Sequence, residues 1–574
     1  MFNRYYQDEL NKLKDLAAEF SQANPALAPM LSGSSADPDA ERILEGVAFL
    51  TGLTRQKLDD EFPEFVQELA HLLFPHYLRP IPSCTLVSFS PKGLLSESLT
   101  IASGTMLDSV PVDGTPCRFR TSAPLDVQPM TLDSAQLVGG SGVAPKIVLR
   151  FGLQGLDISQ WANPAVRLFL GSGYPDASKL LLLLLNHVKT VSVCAPGDKE
   201  FRLGLPIRHA GFDSELLPYP GNAFDGYRNL QEFFVLPEKF LFVDIQGLGE
   251  WSRSARGATF DLTLVLDRLP DWMPEIRTDS FLLNVVPAVN LFEHAADPIN
   301  HDHRASEYRV SPEASNRQHY QIYSVDKVTG YQQGVAKERS YLPFGMLRHS
   351  GEQAVLSFRT TLRAATVGRG SEVYLSVAYP PSEQPLLETL SVQVTCTNRQ
   401  LPESLKLGDL NRPTSSSPDR MSFRNIRAVT APVNPPSGEA LLWRLISHVS
   451  LNFLSIASAE NLKAMLSLYV FSERQEQGQE VANRRRIDSI QEVTATPEVR
   501  LIGRGSVLRG QKIHIKCRLD FFAGVGDMYL FGCILDRFVG DYAGINSFTR
   551  VELEDAFTGA VFKWPPRLGQ QPLL

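Results

Sequence analysis

His301-Asp302-His303 puts two imidazoles and a carboxylate within three residues, the side-chain types from which divalent-metal sites are built. Such a site also needs a distant ligand, and neither HExxH nor spaced Cys/His pairs supplies one. The surrounding NHDHRAS is polar, so the tripeptide reads as a solvated loop. His71 and His76 flank Pro75 at a helix end, where a cationic ring complements the dipole. Phosphate chemistry has no firmer footing. GxxxxGK[ST] is absent, and the glycine-rich GRGSVLRG (503–510) lies between strand-like segments without opening a helix. A GxSxG nucleophile turn is also missing, and no two of the many carboxylates stand out as an acid/base pair. Arg484-Arg485-Arg486 follows Glu476 and Glu480 and reads as a solvated loop rather than a phosphate or acidic-partner contact. No catalytic constellation emerges, and the chain reads as a non-enzyme with no cofactor and no metal.

The elements that would carry any site divide by period. In the first segment Leu10, Leu13, Ala17 and Phe20 recur at helical spacing, Asp8 can pair with Lys12, and Asn24-Pro25 stops the helix. A second helix has Asp37 as cap, Pro38 at its first position, and Ile43, Val47 and Leu50 on its apolar face. A third follows Pro63 with Phe65, Leu69, Leu72 and Leu73. Three short helices carry more apolar area than they can hide among themselves, so they need another domain or another chain.

From Thr85 the period becomes two. KIVLRF (146–151), AVRLFL (165–170), FDLTLVLDRL (260–269), EVYLSVAY (372–379) and LSVQVTCT (390–397) alternate as half-buried strands do. ASKLLLLLLNH (177–187) reads as a buried helix ahead of the strand VKTVSVC, and GDLNRPTSSSPD (408–419) as a linker. Beyond it, 441–455 and 460–471 read as helices, 475–486 as a mobile loop, then a strand pair and a helix over 527–541 bearing Leu530, Ile534 and Phe538. On 441–455, Arg444, His448 and Asn452 recur at intervals of four beside an apolar stripe, either a polar seam against another subunit or a wet helix face. The fold class expected is a multidomain α+β protein. Its parts are N-terminal helices (1–82), an antiparallel β-rich domain (83–280), a second β-rich domain (281–410) and a C-terminal α+β domain (411–574).

Composition narrows the partners. The chain has 574 residues, 43% hydrophobic and 21% charged, with a net charge of −7, so it holds enough apolar material for several cores and no global basic field for nucleic acid or anionic membranes. The start of the chain lacks the apolar run of a secretory signal, and the longest aliphatic run, Leu180–Leu185, is too short to span a bilayer. The chain reads as soluble, without direct membrane insertion. Six scattered cysteines without a CxxC pair read as reduced, buried thiols of a cytosolic protein.

Several strings together resemble the TssF (ImpG/VasA) family of type VI secretion baseplate subunits. They are DPDAERILEGVAFLTG (37–52), KLDDEFPEF (57–65), FPHYLRPIPS (74–83), FDGYRNLQEFFVLPEKFLFVDI (224–245), NVVPAVNLFEHAADPI (284–299), EYRVSP (307–312), TCTNRQLP (395–402), LLWRLISHVSLNFLS (441–455), LDRFVGDYAGINSFT (535–549) and KWPPRLG (563–569). Segments 131–146, 403–423 and 474–490 fall outside these strings and read as variable loops. The resemblance implies a structural subunit of a baseplate wedge, built with TssG, TssK and a second TssF copy. Such wedges surround the VgrG hub below TssE and the sheath, in the bacterial cytoplasm and docked at the inner membrane through the secretion membrane complex. It also implies an inter-chain helical bundle using Leu10, Leu13, Phe20, Ile43, Val47 and Leu50, with further interface candidates at Arg444, His448 and Asn452. Arg537, Phe538, Asn546, Ser547 and Trp564 would form a folded C-terminal unit, through internal packing or partner contact. The competing functions are a carbohydrate-active enzyme or a ligand-binding module with a β-rich cleft.

Overall fold

The structure, a computed structural model, describes residues 2–23, 38–39, 41–55, 75–95, 97–140, 143–161, 164–204, 206–219, 225–332, 338–344, 356–365, 370–379, 387–435, 458–470, 478–502, 506–541, 543–544 and 546–569. It divides into two compact units, Met1–Leu78 with Pro436–Leu445, and Arg79–Pro435 with Ile446–Leu574. The architecture is α+β, as the change of period implies. The expected third helix (63–75) and the helix 441–455 lie outside the described residues, apart from Pro75 at the end of the former.

In the first unit, α1 (Phe2–Ala23) and α2 (residues 41–55) run antiparallel. Lys14 Nζ lies 3.3 Å from Glu41 Oε1, and Arg55 reaches Glu9 near the other end. The close approach falls at Gly52, where a Cβ would stand 3.3 Å from the Tyr6 backbone. These exposed ion pairs set register more than they stabilise.

The second unit opens with a six-stranded sheet in the spatial order Arg412–Pro413, Met106–Val112, Thr115–Thr121, Val285–Val289, Cys84–Pro91, Met421–Asn425. The stretch that reads as a linker is therefore woven into this sheet. Thr414 and Ser417 hydroxyls both donate to the Met106 carbonyl, and Leu410 is fully buried. Short polar residues suit turns, but here their hydroxyls close a sheet edge. The segments 131–146 and 403–423, read as loops, likewise carry strands.

A five-stranded and a four-stranded antiparallel sheet follow, with helices α3 (Tyr174–Asn186), α4 (Asp225–Val235) and the short α5 (Gly249–Ser254) between their strands. Strand Thr259–Leu266 alternates strictly, with Phe260, Leu262, Leu264 and Leu266 buried, as its sequence predicts. An eight-stranded sheet built around Glu388–Thr397 follows, its core formed by residues such as Phe292, Val328, Leu390 and Val394. Buried Asn290 and Asn398 tie the strand Val285–Val289 to the end of Glu388–Thr397. Asn290 Nδ2 donates to Asn398 Oδ1 at 2.8 Å, and Asn398 N–H returns a bond to Asn290 Oδ1 at 2.7 Å.

The C-terminal part comprises α6 (Ala459–Ser467), α7 (Gly478–Asp488), a five-stranded sheet starting with the hairpin Ile490–Ile502/Ser506–Cys517, and α8 (Val525–Gly540). Strands Ser506–Cys517 and Ser547–Asp555 are parallel because α8 crosses over between them. Residues 478–488, expected as a loop, form a helix whose sequence has almost no apolar side; a buried charge holds it instead. Arg486 pairs with Asp527 of α8 at 3.1 Å, both nearly inaccessible, while its Nη1 donates to Asn483 Oδ1 at 2.7 Å. Its guanidinium lies 5.0 Å from the centre of the Phe233 ring and 5.5 Å from that of Tyr174. Arg484, by contrast, pairs at the surface with Glu480.

Removing one partner of a buried pair leaves an uncompensated charge, which costs about 3–5 kcal/mol. Arg486→Met should therefore lower the unfolding midpoint of the isolated chain markedly, and Asp527→Leu added to it should restore much of the loss; thermal unfolding of the three proteins checks this.

Candidate functional site

Two assemblies of side chains gather the residues singled out from the sequence. The first is the helical pair of the first unit. Its buried positions are small, with Ala48 at 0% exposure and Ala17, Ser21 and Gly52 also buried. The large apolar side chains point elsewhere: Ile43 is 67% and Leu50 64% exposed, and Leu16, Phe20, Val47, Phe49 and Leu53 are exposed as well. Leu10 and Leu13 are half-buried. A helical pair that keeps Ala, Ser and Gly inside and Ile, Val and Leu outside has its hydrophobic stripe turned away from its own seam.

The second assembly surrounds α8, which is buried on nearly every side and packs on α3, α4 and strand Ser547–Asp555. Glycines permit the contacts. A Cβ at Gly526 would overlap the Ser178–Lys179 backbone of α3, and one at Gly532 would overlap the Trp564 ring. Trp564 is buried there and stacks on Tyr529 with ring centroids 5.6 Å apart. Phe538 meets Tyr227 of α4 edge-on at 5.4 Å. Arg537 places its guanidinium 3.8 Å from the centre of the Phe212 ring, a cation–π contact that desolvation strengthens. Asn546 adopts φ +66°, in the left-handed region that Asn tolerates, and turns the chain into strand Ser547–Asp555. Arg537 and Trp564 thus both make packing contacts within this chain. Arg444, His448 and Asn452 lie outside the described residues.

Buried charges surround these contacts. Lys239 and Glu232 are both wholly inaccessible and paired, and Glu232 also accepts from the backbone N–H groups of Leu216 and Leu217 at 2.7 and 2.8 Å. Asp527 takes the Tyr174 hydroxyl at 2.6 Å and the Ala523 N–H at 3.0 Å besides Arg486. Asp536 binds Arg567, yet burial outweighs that pairing and pushes its carboxyl up to about 6. Asp541 accepts from the Gly226 N–H at the start of α4, and burial likewise raises it to about 6. Sequence reasoning missed these pairs. Their local traces are slight: Asn483 and Arg486 stand three residues apart on one helical face, and Glu232 and Lys239 seven apart.

Of the HDH tripeptide, Asp302 and His303 are exposed beyond a strand end, as a solvated loop would be, and only His301 is placed differently. His301 ends the strand Ile299–His301, opposite Glu388, and is buried. Its Nδ1 lies 3.2 Å from the Tyr379 hydroxyl, and both Tyr379 and Tyr341 donate to Glu388. Desolvation lowers the His301 pKa, with neighbouring His303 adding to the effect. Among the described residues, no group of three or more His, Cys, Asp or Glu side chains is arranged to hold a metal ion. All six cysteines are free, five of them buried. No described helix is long and apolar enough to cross a membrane.

These features fit a scaffold protein: one α+β unit interlocked by buried charges, and one helical unit whose large apolar side chains are exposed. Comparison with known proteins gives the family. The profile of the type VI secretion system TssF family matches residues 1–571. The chain is 31% identical over a 626-residue alignment to the type VI secretion system component TssF1 of Pseudomonas aeruginosa, covering 99% of each protein. It also superposes on a chain of the TssK-TssF-TssG baseplate subcomplex of a type VI secretion system, determined by cryo-electron microscopy, with TM-score 0.79 and 32% identity over 93% of this chain and 99% of that one. A chain of a second type VI baseplate complex matches with TM-score 0.60 and 26% identity over 100% of both. The protein belongs to the TssF family.

Two outcomes follow from this packing. Trp564→Ala should cost about 3–5 kcal/mol, as for other large-to-small changes in a core, and should lower the denaturant midpoint of the isolated chain; intact stability with failed assembly would instead make Trp564 a partner contact. Asp541 holds its proton more tightly folded than unfolded, so its contribution to stability falls as pH rises from about 4 to about 6. Asp541→Asn keeps an acceptor for Gly226 without the charge, so melting temperatures across that range should decline less with rising pH than those of the wild type.

Proposed function

We propose that this chain is a structural subunit of the baseplate wedge of a type VI secretion system, and that it holds TssG through the apolar faces of α1 and α2. Its membership of the TssF family and its likeness to a chain of the TssK-TssF-TssG subcomplex support TssG and TssK as partners. The observation that carries the reading is the inverted helical pair, with small residues in its seam and Ile43, Val47 and Leu50 in solvent. A stable subunit interface resembles a core cut in half, and such a stripe is one half of it.

Further steps belong to the same reading. A second copy of the chain would share one TssG, and Arg444, His448 and Asn452 would supply a polar seam beside the bundle. Wedges so formed would surround the VgrG hub beneath TssE and the sheath. They would work in the bacterial cytoplasm and dock at the inner membrane through TssK, without inserting into the bilayer themselves. Contraction would be transmitted by rigid-body rotation at these interfaces, which suits a body whose charges are locked inside it. The reading assigns the chain positioning rather than bond-making.

Ile43→Asp combined with Leu50→Asp changes two exposed positions and should abolish co-purification with co-expressed TssG, while the melting transition of the second unit stays where it is. Unchanged co-purification would reject the bundle.

A further inference from the structure

Three arginines from separate parts of the second unit line one small recess. Arg309 comes from strand Tyr308–Arg309, Arg317 from the short turn Arg317–His319, and Arg399 from the residues following strand Glu388–Thr397. Tyr320, Gln321 and Glu372 complete its lining. Two of the cations are matched. Arg309 Nη2 lies 2.9 Å from Glu372 Oε1, and Arg317 Nη2 lies 2.5 Å from Asp297 Oδ2. The second oxygen of Glu372 accepts from the Tyr374 hydroxyl at 3.2 Å.

Arg399 is not matched. Its Nε donates to the Tyr320 carbonyl at 2.8 Å, which fixes the plane of the guanidinium. Among the described residues, no carboxylate lies within ion-pair distance of it, and no acceptor meets Nη1 or Nη2. The residue is nonetheless half-buried; desolvation lowers its pKa, and the field of Glu372, beyond ion-pair distance, partly offsets this. Its backbone sits at φ +50°, an uncommon conformation for a residue with a Cβ, which the surrounding structure must hold in place. That hold is visible: Arg399 N–H donates to Thr397 Oγ1 at 3.3 Å, and the preceding Asn398 is clamped by Asn290.

The recess is therefore lined by three positive groups and one carboxylate, Glu372, with Asp297 pairing Arg317 from outside the lining, and the unmatched cation is the most enclosed of the three. A guanidinium with Nε engaged still presents two parallel N–H groups on its outer edge, a fork that fits the paired oxygens of a carboxylate or a phosphate. Arg309 and Arg317, both exposed, add positive field at the rim. We propose that this recess is an oxyanion site, in which the Nη1/Nη2 fork of Arg399 receives a single carboxylate or phosphate group. The carboxylate would be an Asp or Glu side chain presented by a neighbouring subunit; the phosphate would come free from solution.

The test uses the full chain with two variants, Arg399→Gln, which removes the charge, and Arg399→Lys, which keeps the charge and loses the fork. In one arm, inorganic phosphate is titrated against the isolated chain and thermal unfolding is followed. A rise in the wild-type midpoint that both variants lose identifies a free-anion site. In the other arm, each chain is co-expressed with TssG and TssK. Affinity reduced about tenfold or more in Arg399→Gln, only partly recovered in Arg399→Lys and accompanied by a shallower salt dependence, identifies a partner carboxylate. Under either source, Arg399→Gln alone should melt no lower than the wild type, because it removes an unpaired, enclosed charge. If phosphate moves nothing and Arg399→Gln assembles as tightly as the wild type, the site does not exist. A lower midpoint for Arg399→Gln with no ligand dependence would make Arg399 an internal strut and overturn the proposal equally. Should even the wild type fail to assemble with either partner, the baseplate reading is at fault, and the phosphate arm still decides the recess.

Discussion

The second unit is organised by the need to neutralise charge inside a helix that has no wet face. Helix α8 is enclosed by α3, α4 and the last long strand, so Asp527 and Asp536 must find partners in the interior. Arg486, Tyr174 and the Ala523 N–H converge on the first, and Arg567 on the second. Each partner lies on a different element, so satisfying the acids fixes where α7, α3 and the C-terminal residues sit. Apolar packing alone tolerates sliding, whereas a buried ion pair has one geometry that works.

That rigidity contrasts with the first unit. Its two helices meet through Ala and Gly, a seam that brings backbones close but hides little apolar area. The larger side chains are left in water, where they gain nothing until another surface covers them. Under the proposed reading, a unit locked by internal charge and a helical pair with exposed apolar side chains would divide the labour of a wedge component. The one would keep its shape, and the other would supply adhesion.

The large sheet adds polar positions that packing does not consume. Glu388 gathers two tyrosine hydroxyls on Oε1, one of which also meets His301, while among the described residues its buried Oε2 has no hydrogen-bond partner. Arg399, in the same sheet region, is held by a strained turn and a single carbonyl bond with its outer edge bare. The first arrangement joins strands from within, whereas the second borders the recess in which the proposed oxyanion would sit.

Some of this was legible in the residues alone. Period 3.6 in the first segment and period 2 from Thr85 onward set the α+β class, and strict alternation over 260–266 gave the buried face of that strand residue by residue. The exposed stripe of Ile43, Val47 and Leu50 could be foreseen because helix periodicity is local. What the sequence left open was every feature resting on a distant partner. Residues 408–419 read as a linker because their sheet neighbours lie some three hundred positions away, with Ser417 bonding Met106. Arg486 read as solvated because nothing nearby in the chain announces Asp527, and His301 read as a loop residue because Glu388 and Tyr379 are remote. Period and composition are written along the chain, so sequence determined them; which charges are buried, and against what, depends on strand register and helix crossing, which exist only once the chain has folded back on itself.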